Sequence, residues 1–143
     1  LANYELQDWE KVMRVTLSSN FLFSRHLIPL MIKDKWGRRI HVSSPNSAIG
    51  AGAYSSSKSG LEGLSKALSR EYARYNITSN IIKLGVFNTG MFHALSEKNQ
   101  KAFLDRIPSK KLGQTSNVTN AISFLIDSDF VNGASITIDG GAS

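Results

Sequence analysis

The sequence predicts an α/β fold built on a parallel sheet, and three observations carry that prediction. Short β-prone runs, RIHVSS, TSNIIKL and ASITI, lie far apart along the chain. The segments between them carry apolar residues at helical spacing. Those connections are too long for hairpins, so successive strands must run parallel with right-handed crossovers between them.

The elements follow in order. From Asp8 to about Lys33 the residues Trp9, Val12, Met13, Leu17, Phe21, Ile28 and Met31 recur at helical spacing, with Asp8 as candidate N-cap. The second half, FLFSRHLIPLMI, is apolar on nearly every side, which predicts a helix buried against more than one neighbour, with Pro29 bending it or tightening its last turns. The strand RIHVSS comes next, then a loop rich in glycine and small residues, PNSAIGAGA. A long helix is predicted from about Tyr54 to Tyr75, with Gly60 and Gly63 allowing close packing, and a strand from Thr78. After the loop GVFNTG, helices are expected over Ser96–Arg106 and Ser116–Asp127, and the strand ASITI closes the chain. No repeat, low-complexity tract or linker divides the sequence, so residues 1–143 read as one domain.

Composition narrows the class. Apolar residues make up 41% and charged residues 20%, as in soluble globular proteins. No apolar run approaches the ~18 residues that a membrane span requires. The absence of cysteine excludes disulfides and thiol chemistry and is compatible with a reducing, cytoplasmic setting. The net charge of +6 comes from scattered lysines and arginines, so it reads as a solvated surface rather than a nucleic-acid face. His26, His41 and His93 have no metal-ligand spacing and read as structural.

One spacing points to chemistry. Tyr54 and Lys58 stand four residues apart on a predicted helix, so their side chains rise from one face. In open parallel sheets ligands bind beyond the carboxyl ends of the strands. The loops expected at that edge bring Ser43, Ser44, Tyr54, Lys58, Asn88 and Thr89. A fixed ammonium favours a phenolate, so such a set suits proton transfer to or from an alcohol or ketone oxygen. A Tyr-x-x-x-Lys spacing is also common on helix surfaces, Ser43 and Ser44 could merely end a strand, and Thr89 could be an N-cap.

The colinear set DWEKVMRVTLSSNFLFSRHLIPLM, GRRIHVSS, AYSSSKSGLEGLSKALSREYARYNITSN, LGVFNTGM and NGASITIDGG resembles the short-chain dehydrogenases/reductases, and is similar to their 3-oxoacyl-carrier-protein reductases. The resemblance implies a Rossmann-type sheet, NAD or NADP as cofactor, and hydride transfer between a ketone and a secondary alcohol. It also implies roles. Tyr54 matches the acid/base, Lys58 the lysine that assists it and holds the nicotinamide ribose, and Ser44 the serine that orients the substrate oxygen. Val86 and Thr89 lie in the cofactor-side loop, Thr89 matching the threonine that contacts the carboxamide. The segment MFHALSEKNQKAFLDRI would be a lid, whose Met91, Phe92 and Phe103 suit an apolar substrate portion.

The resemblance begins at the family's central helix, and the glycine-rich turn that seats the pyrophosphate has no counterpart here. The chain, which opens on Leu1, is therefore expected to be the C-terminal half of the fold and a piece of a longer polypeptide. By itself it is expected to bind the dinucleotide weakly and to be inactive. Thr16 stands where the family usually has an asparagine, nine residues separate Ser44 from Tyr54, fewer than is common, so that Ser47 could substitute for the serine, and Leu84-Gly85 replaces a proline-glycine. In such a half the serine-bearing strand would be an open edge. With the apolar helices it predicts a homodimer or homotetramer. The alternative reading is a catalytically inactive fragment that acts as an oligomerisation module.

Overall fold

In the computed structural model, which describes residues 2–45 and 51–143, three strands form one wholly parallel sheet in the order β1-β2-β3. β1 (Gly37–Ser43) pairs with β2 (Ile77–Leu84) from Gly37↔Ile77 to Ser43↔Lys83. β2 pairs in turn with β3 (Ser135–Ile138) from Ile81↔Ser135 to Leu84↔Ile138. All three strands therefore end at one edge, as the long crossovers require. This is a partial Rossmann-type α/β fold.

The central strand β2 is buried along Ile77–Ile82, and its two neighbours are the edges of the sheet among the described residues. Helix α3 (Gly52–Glu71) lies on one face and buries Ala53, Ser57, Leu61, Ser65, Leu68 and Ser69, a stripe with helical period. Its small residues bring the helix close to the sheet. Gly60 is needed for a further approach, since a Cβ there would stand 2.6 Å from a Leu17 methyl. Gly63 faces open space instead, so the expected packing role belongs to Gly60 alone. On the other face, α6 (Thr115–Asp127) buries Leu125, and its Ile126 carbonyl accepts from Arg38 Nε at 3.0 Å. No described helix is long and apolar enough to cross a membrane.

The helix expected over 8–33 is present as one continuous helical run from Leu6 to Asp34, with a π-helical turn inside it. α1 (Leu6–Met13) begins at the N-cap Glu5, which places Asp8 inside the first turn rather than at the cap. A π-helical turn covers Arg14–Ser18, and α2 (Ser19–Asp34) follows. Pro29 lies within α2. Side chains supply partners where the turn disrupts the backbone ladder. Ser19 Oγ donates to the Val15 carbonyl at 2.6 Å, and Asn20 Nδ2 to the Thr16 carbonyl at 2.8 Å.

α2 also departs from the burial expected of it. Only Ser24 and Ile28 are buried, while Phe21, Leu22, Phe23, Leu27 and Leu30 are exposed. The second neighbour that its composition demands does not lie within the described residues. The remaining differences are at boundaries: β1 stops at Ser43, α3 gives way to a 3-10 turn at Ala73–Tyr75, and a short α4 (Gly90–His93) opens the lid segment. α5 (Glu97–Arg106) is capped by Ser96, whose Oγ accepts from Asn99 N.

Two asparagines fasten β3 to β2. Asn80, fully buried, donates to the Val131 carbonyl at 2.8 Å and accepts from Ala134 N at 2.9 Å. Asn132 accepts from Ser79 N at 2.8 Å and donates to the Ser69 carbonyl at 3.0 Å.

Candidate active site

The carboxyl ends of β1 and β2 and the first turns of α3 meet at one corner of the molecule. Lys58 ties α3 to the end of β1. Its ammonium donates to the Val42 carbonyl at 2.8 Å, and its own carbonyl accepts from Ser43 Oγ at 3.3 Å. The next residue in the chain is Ser44, half-buried just beyond the strand. One helical turn before Lys58 stands Tyr54, whose exposed ring has the Lys58 Nζ 5.6 Å from its centroid. Burial holds the Lys58 ammonium below the usual lysine range. The sequence spacing thus becomes a spatial pair, set against the strand that carries the serines. Ser47, weighed as a substitute for Ser44, lies outside the described residues.

Tyr54 faces the π-helical turn. Together with Tyr4, Asp8, Lys11, Val12, Val15 and Thr16 it lines an open cavity of about 440 Å³. Thr16, read as the counterpart of a family asparagine, therefore does share a wall with Tyr54.

Val86 and Thr89 lie in the loop that leaves β2 at the same sheet edge. Thr89 is the N-cap position of α4 but makes no side-chain capping bond, so its hydroxyl is not committed to its own helix. Both residues line a second cavity, of about 620 Å³, walled by Leu84, Phe87, Met91, Phe92, Leu95 and Phe103. The three apolar residues expected in the lid are thus all in one largely apolar wall. Tyr54 lines the first cavity and Val86 and Thr89 the second, and Val86 and Asn88 reach a third beside Lys110 and Lys111. Asn88 itself is paired, its Oδ1 lying 2.8 Å from His93 Nε2.

One polar feature was not foreseen from sequence. His41, 2% exposed, joins α2 to the sheet: Nδ1 lies 3.1 Å from Asn20 Oδ1 and Nε2 lies 3.3 Å from Ser79 Oγ, itself 2.9 Å from Ser65 Oγ on α3. Burial first, and the Arg39 charge second, push the imidazole down to about 4. The only signal in the sequence was a histidine inside a β-prone run, which reads as structural.

The donor set, an ammonium beside a phenol with an uncommitted hydroxyl lining a separate cavity at the neighbouring strand end, has the chemistry to hold a nicotinamide end. It does not fit the pyrophosphate, since the sequence contains no Gly-x-Gly-x-x-Gly turn.

Known proteins share this fold. Residues 1–143 match the family described as Enoyl-(Acyl carrier protein) reductase. The chain is 38% identical over 146 residues to the 3-oxoacyl-(acyl-carrier-protein) reductase FabG of Buchnera aphidicola, covering 99% of this chain and 60% of that protein. It is 36% identical to the (2S)-((R)-hydroxy(phenyl)methyl)succinyl-CoA dehydrogenase subunit BbsD of Thauera aromatica, covering 95% of this chain and 56% of that one. Among solved structures, a putative gluconate dehydrogenase from Agrobacterium tumefaciens superposes with a TM-score of 0.91 at 30% identity, over 99% of this chain and 58% of that one. A putative 2-deoxy-D-gluconate 3-dehydrogenase from the same organism, with bound NADP, gives 0.90 at 29%, over 99% and 61%. The chain spans about three-fifths of the length of these relatives. With its parallel sheet, its serine-bearing strand and its Tyr-Lys helix, this chain belongs to the short-chain dehydrogenase/reductase family.

Proposed function

We propose that this chain is the catalytic half of an NAD(P)-dependent oxidoreductase that interconverts a ketone and a secondary alcohol. The observation that carries the reading is the Lys58 ammonium held on the Val42 carbonyl within 5.6 Å of the Tyr54 ring. Bound nicotinamide supplies the hydride. In the reducing direction the carbonyl carbon gains that hydride while its oxygen takes the Tyr54 hydroxyl proton, giving the alcohol. The Lys58 charge favours the negative charge left on the phenol oxygen, and the reverse transfer restores it. Ser44, adjoining this corner, holds the substrate oxygen. Lys58, Val86 and Thr89 hold the nicotinamide end. The apolar wall of Met91, Phe92 and Phe103 accommodates an apolar substrate portion.

The phosphates of the dinucleotide need a glycine-rich turn that this sequence does not supply, so activity requires that part from elsewhere. Nicotinamide mononucleotide tests the reading without it. In an NMR titration the reduced mononucleotide should shift the amides of Lys58, Val86 and Thr89, while adenosine monophosphate should leave them unmoved. If the reduced mononucleotide moves none of the three at millimolar concentration, the assignment is wrong.

A second reading, an inactive association module, is favoured by the exposed apolar residues of α2. A dimer through α2 and α3 is compatible with both readings. They part on the mononucleotide titration, which an association module would fail.

A further inference from the structure

We propose that His41, acting through Asn20, is a positioning residue that holds the Thr16 turn against the Tyr54 cavity. The proposal rests on Tyr54 as the reacting group. It starts from the π-helical turn at Arg14–Ser18, which alters the backbone ladder where the helix passes Tyr54. Within this turn the Thr16 carbonyl accepts from the Asn20 side-chain amide at 2.8 Å. Thr16 and Val15 both line the cavity that Tyr54 enters. Whatever fixes the Asn20 side chain therefore fixes that wall.

Asn20 could in principle turn its amide over. His41 prevents this. With Nδ2 on the Thr16 carbonyl, Asn20 presents Oδ1 to His41 Nδ1 at 3.1 Å, and an oxygen there accepts only from a protonated nitrogen. The imidazole must then carry its proton on Nδ1. Nε2 is left as an acceptor, satisfied by Ser79 Oγ at 3.3 Å, whose oxygen in turn accepts from Ser65 at 2.9 Å. Every member of the line has one direction compatible with the rest, from α3 through two strands to the turn. Turning Asn20 over would put its oxygen against the Thr16 carbonyl and its amide against the His41 N–H, two repulsions in a buried place. The imidazole is 2% exposed, and burial keeps it neutral near neutrality, so the line keeps this direction. The other polar groups at this seam are Arg39, whose Nη2 donates to Ser24 Oγ at 3.1 Å, and Ser24 itself, which donates to the Asn20 carbonyl at 2.7 Å.

The test exploits the difference between asparagine and glutamine as stand-ins for histidine. His41→Asn keeps a donor near the Nδ1 position, and so keeps the bond to Asn20. His41→Gln places its amide near Nε2, keeps the Ser79 contact and loses the Asn20 bond. The readouts are the Thr16 amide resonance and the Tyr54 ring carbon bearing the hydroxyl, the latter assigned by comparison with Tyr54→Phe. In the 143-residue chain, long-range proton–nitrogen spectra should show Nδ1 protonated and Nε2 bare. His41→Asn should leave the Thr16 and Tyr54 signals near wild type. His41→Gln should move both while the methyls of the buried core residues Leu125 and Ile82 stay in place. A merely structural role would move the two variants alike. An imidazole protonated on Nε2, or a folded His41→Gln with unchanged Thr16 and Tyr54 signals, overturns the proposal. Should His41→Gln fail to fold, Asn20→Leu asks the same question from the helix side, and the wild-type tautomer still decides. None of these readouts needs turnover, so the proposal can fail while the oxidoreductase reading stands, and the mononucleotide titration can fail while the line holds.

Discussion

Acidification should destabilise this protein through the buried imidazole of His41. The imidazole is held down to about 4 in the fold against an ordinary value of 6.5. The sign follows from proton binding: between those values the unfolded chain binds a proton that the folded chain refuses. The contribution is therefore complete above the unfolded value and is lost as pH falls towards the folded one. Integrated from about pH 7.5 to about pH 5, the loss is about 2 kcal/mol. For a chain of this size the urea slope is on the order of 1–3 kcal/mol per molar, so His41 alone should lower the unfolding midpoint by roughly 0.7–2 M. Carboxylates contribute to acid unfolding too, so the quantity to measure is a difference. Urea curves for wild type and His41→Asn at both pH values give it. Wild type should lose more midpoint than the variant by the stated amount. Equal losses in the two proteins would show that the imidazole protonates in place, and that its burial does not exclude charge.

Other predictions concern the reaction, the sheet and assembly. In an active form supplied with its phosphate-binding part, Tyr54→Phe removes the transferable proton and should reduce turnover by ~10²–10⁴-fold, measured by nucleotide absorbance; Lys58→Ala should lower both turnover and nucleotide affinity. Asn80→Ala leaves the Val131 carbonyl and Ala134 N–H without their partners and should cost about 2–5 kcal/mol in chemical denaturation, whereas a loss under ~0.5 kcal/mol would mean water replaces the amide. Sedimentation equilibrium should find a homo-oligomer that Phe21→Glu or Leu22→Glu weakens before unfolding the domain, because both residues are exposed on α2; a monomer mass across a wide concentration range would refute it.

Much of the fold was legible because its signals are local. The β-prone runs around Ile40, Ile81 and Ile136 and the helical stripe of α3 depend on side-chain period alone, and all appear with boundaries moved by a few residues. The Tyr54–Lys58 pairing was legible for the same reason, since one helical turn determines it. What sequence did not show depends on neighbours. The π-helical turn at Arg14–Ser18 had no local signal, because what marks it are the bonds from Ser19 and Asn20 to the carbonyls of Val15 and Thr16. The apolar run of α2 was read as buried, whereas burial needs a surface to cover it and the described residues provide little of one. His41 looked structural and is buried, yet its direction of bonding follows only from Asn20, which lies 21 positions away in the chain.

The clamp formed by Asn132 also governs how this protein ages. Asn132 precedes Gly133, the dipeptide most prone to losing its side-chain ammonia when the backbone nitrogen of the glycine attacks the amide carbon. Here that nitrogen donates to the Ser79 carbonyl at 2.9 Å, and the amide is bound on both its oxygen and its nitrogen. Folding thus withdraws both reactants. Each excursion to the unfolded state releases them, and the resulting carboxylate can no longer donate to the Ser69 carbonyl. Damage and instability would then feed each other, so shelf life at warm temperature should be set by how often the last strand opens rather than by the intrinsic rate of the amide.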